Sequence, residues 1–196
     1  MSGKLEGIPA INTNTLTNPF CIKNHCSKNN NCICKYCYSY YMLKTFRKNA
    51  SDAFQYNSDI LSTSIISFND LPLFNACYVR FSAHGELINN IHLKNLINIC
   101  NKNKNKFFTL FTKKKNLIKK VFDKIEKPKN LIIVFSNKYI NTYAQIPKYF
   151  DKVFNVFTTE SNIINCGGKK CMDCLLCYTH NNTTVINEKI KIYKKK

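Results

Sequence analysis

The chain has 196 residues, 44% hydrophobic and 13% aromatic, which is enough apolar material for a core and too much for wholesale disorder. Lys and Arg number 30 against 11 Asp and Glu, a formal net charge of +19 that favours non-specific attachment to polyanions at low salt. Arg47 and Arg80 are the only arginines, so the bidentate forks that read base edges are scarce and sequence-specific DNA recognition is not expected. An AT-rich genome, which favours Lys, Asn and Ile, accounts for the same bias.

No apolar run approaches the ~18 residues of a membrane span, and the opening MSGKLEGIPAINTNT lacks the apolar core of a secretory signal. The expected setting is therefore cytoplasmic, where thiols stay reduced and clustered cysteines read as metal or redox sites. The expected layout is a single domain over 1–196. It comprises a cysteine loop at 17–40, βα repeats at 77–160, a second cysteine cluster at 161–180 and a basic tail at 189–196.

In chain order, INTNTLT (11–17) is a possible first strand. The first cysteine group follows in NPFCIKNHCSKNNNCICKYCYS: Cys21, Cys26, Cys32, Cys34 and Cys37. Five exceed what one three- or four-thiolate site needs, so at least one is spare or serves another centre. A helix is expected over MLKTFRKNASDAF (42–54), with a second helical stretch before Pro72. Four β-branched and aromatic runs then read as strands: CYVRFS (77–82), KFFTLFTK (106–113), NLIIVFSN (130–137) and KVFNVFTT (152–159). Between them, Ile88, Ile91, Leu96, Ile97 and Cys100 form one helical stripe, and Leu117, Ile118, Val121, Phe122 and Ile125 form another. A weaker pattern at 140–150 is interrupted by Pro147. Cys77 and Cys100 read as small core residues. The tail KIKIYKKK reads as a short basic strand or a frayed end.

Strand and helix alternating at this spacing imply an α/β fold with parallel strands, either a partial (β/α) barrel or an open sheet with crossover helices, flanked by Cys-rich segments. In such folds the carboxyl ends of the strands carry the site. That rule places His84, Glu86, Lys113, Ser136, Asn137 and Glu160 along one rim.

The second cysteine group, Cys166, Cys171, Cys174 and Cys177, has the spacing C-x4-C-x2-C-x2-C. Gaps of two residues let thiolates converge, and four thiolates satisfy either tetrahedral zinc or an iron–sulfur cluster. His25 and His180 neighbour the two clusters and read as loop residues. There is no G-x-S-x-G elbow and no phosphate loop, and five glycines leave little room for one.

Taken together, CKYCYS, then RFSAHGE at a strand end, then FFTLFTK, a strand ending in Ser136 and a last cluster ending in Cys177-Tyr178 resemble the radical S-adenosylmethionine superfamily. Within it the chain is most similar to the phage gene product 88 family, over roughly residues 17–180. The resemblance implies a phage or bacterial source and three thiolates on a [4Fe–4S] cluster whose open iron chelates S-adenosylmethionine. Electron transfer then cleaves the sulfonium to give a hydrogen-abstracting radical. It further implies that His84-Gly85-Glu86 takes the place of the family's Gly-Gly-Glu motif, with Glu86 accepting from the methionine ammonium. Lys113 and Ser136 would lie beside the cofactor.

The chain departs from the family's C-x3-C-x2-C, because Asn30, four positions before Cys34, stands where the first Cys belongs. Cys26, Cys34 and Cys37 are the expected ligands. Two alternatives stay open: Cys32 in place of Cys26, or Cys21 and Cys32 in another centre. The carboxy-terminal four would hold a second iron–sulfur cluster or zinc, or close on the spare amino-terminal thiols. A zinc-stabilised nucleic-acid-binding module is the competing reading, and the substrate is unspecified.

Overall fold

The four β-branched runs form the middle of a six-stranded sheet. The computed structural model describes residues 3–159 and 163–190. Its strands are β1 (Ala10–Ile11), β2 (Tyr78–Phe81), β3 (Phe107–Thr112), β4 (Leu131–Ile140), β5 (Lys152–Phe157) and β6 (Val185–Lys189). Every pairing is parallel, and spatial order equals chain order. The register sets Val79 opposite Phe108, Phe108 opposite Leu131, and Phe154 opposite Ile186. β1 and β6 are the two edges, so the sheet is open and not closed into a barrel.

The helices are α1 (Pro19–His25), α2 (Tyr38–Lys44), α3 (Ala50–Thr63), α4 (Asn90–Lys102), α5 (Lys115–Phe122) and the single turn α6 (Cys171–Cys174). The period-two alternation of the strands divides the sheet into two unlike faces. Val79, Phe81, Phe108, Leu110, Leu131 and Ile133 pack against Leu61 of α3, Leu93, Leu96 and Cys100 of α4, and Ile118, Val121 and Phe122 of α5. This is the main core; Phe81 and Phe108 stack within it at 5.1 Å. On the other face only Phe111, Ile132 and Val134 form a small cluster, with Phe154 and Cys177 against them. Thus α3, α4 and α5 cover one face, and the carboxy-terminal cysteine segment reaches the other. Among the described residues no helix is long and apolar enough to cross a membrane.

α4 starts at Asn89, whose side chain caps the His92 N–H at 2.9 Å. The His92 ring is buried, and its Nδ1 accepts the Ile88 N–H at 3.2 Å. A proton on Nδ1 would remove that acceptor. Burial, with Lys114 nearby, lowers the His92 pKa to about 4. Because the unfolded chain takes this proton near the ordinary value of about 6.5, stability falls as pH drops from there to about 4. A His92→Asn variant keeps an acceptor and loses the titration. Its urea midpoint should fall less between pH 7 and pH 4.5, by the equivalent of about 2 kcal/mol; an identical acid profile would refute the assignment.

Some elements differ from expectation. The helix expected over 42–54 is two helices broken at 45–49, where the Arg47 N–H bonds back to the Met42 carbonyl at 2.9 Å. The stretch before Pro72 is one 3-10 turn, Phe68–Asp70. Residues 140–150 are not helical: β4 runs on to Ile140, and Asn141 and Tyr149 turn the chain with positive φ. The strand at 11–17 shrinks to β1, because Asn12, Thr13 and Thr15 spend their side chains on the loop after β2. β6 lies upstream of the basic tail, whose residues 191–196 are outside the described residues. Cys100 is buried as expected, whereas Cys77 is exposed.

Candidate functional site

The carboxyl ends of β2 and β3 meet at Glu86. Ser82 leaves β2 with a φ of 59°, and Gly85 follows with a φ of 80°. The turn is clamped from below: the His84 N–H donates to Asn12 Oδ1 at 2.8 Å and the Gly85 N–H to Thr15 Oγ1 at 3.0 Å. Glu86 is thereby carried into the protein, 4% exposed. Its Oε1 accepts from the Leu87 N–H at 2.8 Å and Thr112 Oγ1 at 2.5 Å, and its Oε2 from the Lys113 N–H at 2.9 Å. Oε2 keeps a lone pair free of these contacts.

Lys113 extends from the end of β3 and donates from Nζ to Ser136 Oγ at 3.0 Å. Burial works against its charge, but Cys34, Glu86, Cys37 and Cys21 around it more than offset that, and its pKa stands above the usual lysine value. Burial raises Cys34 to about 11 even though Lys113 pulls the other way; Cys32, Cys37 and Glu86 add to the rise. Burial likewise pushes Cys21 well up, with Glu86 and Cys37 adding to it and Lys113 opposing. Cys21, Cys34 and Cys37 therefore lie within electrostatic reach of one lysine and one carboxylate at the strand ends.

Cys21 owes its place to Asn18. The Asn18 Oδ1 caps α1 by accepting the N–H groups of Phe20 at 3.0 Å and Cys21 at 3.4 Å, while its Nδ2 donates to the Glu86 carbonyl at 2.9 Å. One buried amide thus ties the Cys21 helix to the Glu86 turn. Asn18→Ala removes the cap and the shorter of two bonds to the buried Glu86 carbonyl, leaving Thr13 Oγ1 at 3.3 Å, an expected loss of about 2 kcal/mol in urea unfolding with faster alkylation of Cys21. Asn18→Asp keeps the cap alone and should recover about half; equal stability of all three proteins would contradict this account.

The other expected residues are placed as follows. Cys26 is exposed. Cys32 is buried with Sγ 3.8 Å from the Asn24 carbonyl, in a loop pinned to β4 through the Ile140 N–H bond to Asn31 at 2.8 Å. His84 is packed between Tyr38 and Phe54, its Nδ1 2.8 Å from Ser39 Oγ. Burial, Arg47 and Arg80 lower its pKa to about 4. Asn137 is buried in an amide ladder, donating to Asn155, which donates to Asn187, each at 3.1 Å. His25 stacks on Tyr40 at 3.7 Å and meets the Cys34 carbonyl; His180 is exposed. Glu160 lies outside the described residues.

The carboxy-terminal four stand apart from this rim, against the less covered face. Cys166, Cys171, Cys174 and Cys177 line a hollow of about 310 Å³ with Tyr178 and Ile186. The Cys166 N–H bonds to Asn187 at 3.0 Å, the Cys171 N–H to Lys4 at 2.7 Å, and the Cys177 carbonyl accepts Thr109 Oγ1 at 3.1 Å. Burial raises Cys177 to about 12 against the pull of Arg80. Among the described residues no three His, Cys, Asp or Glu side chains are gathered closely enough to hold one metal ion as they stand.

Three contributors were not singled out from the sequence. Thr112 and Asn18 hold Glu86 from two sides; both are buried polar residues next to expected ones, and spacing carries no signal for them. Arg80 did have a signal, as one of two arginines in a lysine-rich chain and in a strand whose alternate residues are apolar. Comparison with protein-family models, curated proteins and solved structures finds no match to the chain.

Proposed function

We propose that the protein is an iron–sulfur protein of the radical S-adenosylmethionine type, with its sheet serving as a partial barrel and a [4Fe–4S] cluster on the amino-terminal thiols. The observation that carries this reading is the shared neighbourhood of Cys21, Cys34, Cys37, Lys113 and Glu86 at the carboxyl ends of parallel strands. The donor set fits in kind, since three thiolates suit three irons and leave one open and the Lys113 cation would offset the charge that ligation creates, but the three thiols would have to draw together to ligate. Cys21 takes the third position in place of Cys26, which faces solvent.

When bound, the cluster and S-adenosylmethionine supply one-electron cleavage of the sulfonium and a radical that abstracts hydrogen. The chain's part is positioning. Glu86 Oε2, held by the Lys113 N–H, would accept from the methionine ammonium, and Lys113, fixed by Ser136, would balance the thiolates. Tyr38, donating to the Ala83 carbonyl, braces the turn next to Cys37. The carboxy-terminal thiols form a second metal site.

The test is anaerobic reconstitution with iron and sulfide, followed by spin resonance of the reduced protein with and without S-adenosylmethionine. A cluster signal that changes with the cofactor supports the reading. The signal should be lost in Cys21→Ser and retained in Cys26→Ser. A signal indifferent to the cofactor leaves an iron–sulfur protein without this chemistry. A colourless, zinc-only protein that binds polyanions favours the nucleic-acid module, for which the +19 charge speaks.

A further inference from the structure

We propose that the end of α2 and the turn leading into α3 form a docking surface for single-stranded nucleic acid. This holds whichever metal the cysteines carry, and it goes beyond the net charge, because it names a place on the molecule and a preference for unpaired bases.

Charge is segregated along the sequence. Residues 7–51 hold Lys23, Lys28, Lys35, Lys44, Arg47 and Lys48 and no Asp or Glu. Among the described residues none of these six cations has a carboxylate partner. Compositional bias supplies lysines to any surface, but it does not choose where they meet rings left in water. Here they do. Every residue from Lys44 to Asn49 is exposed. Tyr38, Tyr41 and Phe46 are 57%, 58% and 68% exposed, and the Tyr41 and Phe46 rings meet edge-on at 6.4 Å. One exposed ring is ordinary; three within nine residues of sequence, interleaved with cations, mark an interaction surface. The turn is also built rather than loose. The Arg47 N–H bonds to the Met42 carbonyl at 2.9 Å, the Ala50 N–H to Arg47 at 3.0 Å and the Ser51 N–H to Lys48 at 2.9 Å. Phe46 is thus held out in water by a fixed backbone, which lowers the ordering cost of a partner.

The chemistry of the surface selects the occupant. Unpaired bases offer their π-faces to Tyr41 and Phe46 while the phosphates between them meet Lys44, Arg47 and Lys48. A duplex keeps its base faces stacked inside and leaves such rings without a role. A lipid surface needs an apolar helical stripe. α2 has only seven residues and buries Leu43, so it presents none. The row of rings continues past the turn: Lys44 lies 5.0 Å over Tyr40, Tyr40 stacks on His25 at 3.7 Å, and His25 Nδ1 is 3.2 Å from the Cys34 carbonyl. A strand laid along it would run from the turn toward the amino-terminal cysteine loop.

The experiment uses the full-length protein, purified anaerobically, and labelled oligothymidylate of about 12 nucleotides, followed by fluorescence anisotropy at about 150 mM salt. Tyr41→Ala and Phe46→Ala leave the charge unchanged and should each weaken binding about tenfold at unaltered metal content. Phe46→Leu keeps apolar bulk without a π-face, should lose about as much, and serves if an alanine variant does not fold. Lys44→Gln/Lys48→Gln should lower the slope of log affinity against log salt by about 1.4, two phosphate contacts at about 0.7 each. Lys120→Gln/Lys124→Gln removes the same charge from the exposed end of α5 and should leave that slope in place. A duplex of equal length should bind about tenfold more weakly than the single strand. Ring variants that bind like wild type overturn the proposal, as does a duplex held as tightly as the strand. Binding to phosphatidylserine vesicles that falls in the ring variants while strand affinity stays unmoved assigns the surface to a membrane and overturns it too.

Discussion

Replacing Gly85 with alanine should cost about 3–4 kcal/mol and open the turn that delivers Glu86. A Cβ at this position would stand 2.2 Å from Thr13 Oγ1 and 2.4 Å from the Thr13 carbonyl oxygen. The first neighbour is a side chain; the second is backbone, in the segment directly after β1, and has nowhere to go. The φ of 80° adds the ordinary penalty of a left-handed residue, about 1–2 kcal/mol. Overpacking adds about 1–3 kcal/mol. Against a total of about 5–15 kcal/mol the loss is large, and urea unfolding at neutral pH measures it. Thr13→Ala in the same chain removes only the hydroxyl, so it should return about a third of the loss. A single variant within 1 kcal/mol of wild type would show that the Thr13 segment yields, and that the turn is not fixed in this way.

Glu86→Gln separates structure from ligand binding. Truncation to alanine would orphan three buried donors, the Leu87 and Lys113 N–H groups and the Thr112 hydroxyl, and confuse the two. In the amide, one oxygen can still serve Thr112 and Leu87, while an NH₂ faces the Lys113 N–H. That donor–donor contact costs about 1–3 kcal/mol of stability. It also removes the charged acceptor proposed for the methionine ammonium, a contact of about 1.5–3 kcal/mol, so S-adenosylmethionine affinity should fall about 10- to 100-fold while iron content stays unchanged. Spin-resonance titration of the reduced protein reads the affinity, and metal analysis reads the iron. An unaltered titration would remove Glu86 from the cofactor site.

The middle of the sheet was legible in the sequence because its strands are nearly continuous apolar runs with crossovers of regular length. The edges were not. β1 contributes two residues before its polar side chains take over the bonding, and β6, VINEK, is as polar as a loop and is defined by pairing with β5. At the site, His84-Gly85-Glu86, Lys113 and Ser136 were named from strand ends, a topological rule that needs no contacts. The choice among Cys21, Cys26 and Cys32 depends on how α1 and the loop after it fold back, which spacing does not encode. Asn18 positions Cys21 through one amide that caps a helix and grips a carbonyl 68 residues away, which spacing could not show. Asn137 was placed on the rim correctly as to strand, yet its side chain is spent within the sheet.

Sequential strand order has a consequence for how the molecule comes apart. With α3, α4 and α5 all on one side, hydrocarbon seals that side and answers to denaturant. The other side carries the carboxy-terminal cysteine segment, and if the thiols hold the metals proposed above, the strength of the thiol-bearing segments depends on redox poise and metal supply. Air or a chelator should therefore loosen the two ends of the chain first, leaving α4, α5 and the strands beneath them protected from amide exchange, so that damage to the chemistry precedes collapse of the scaffold.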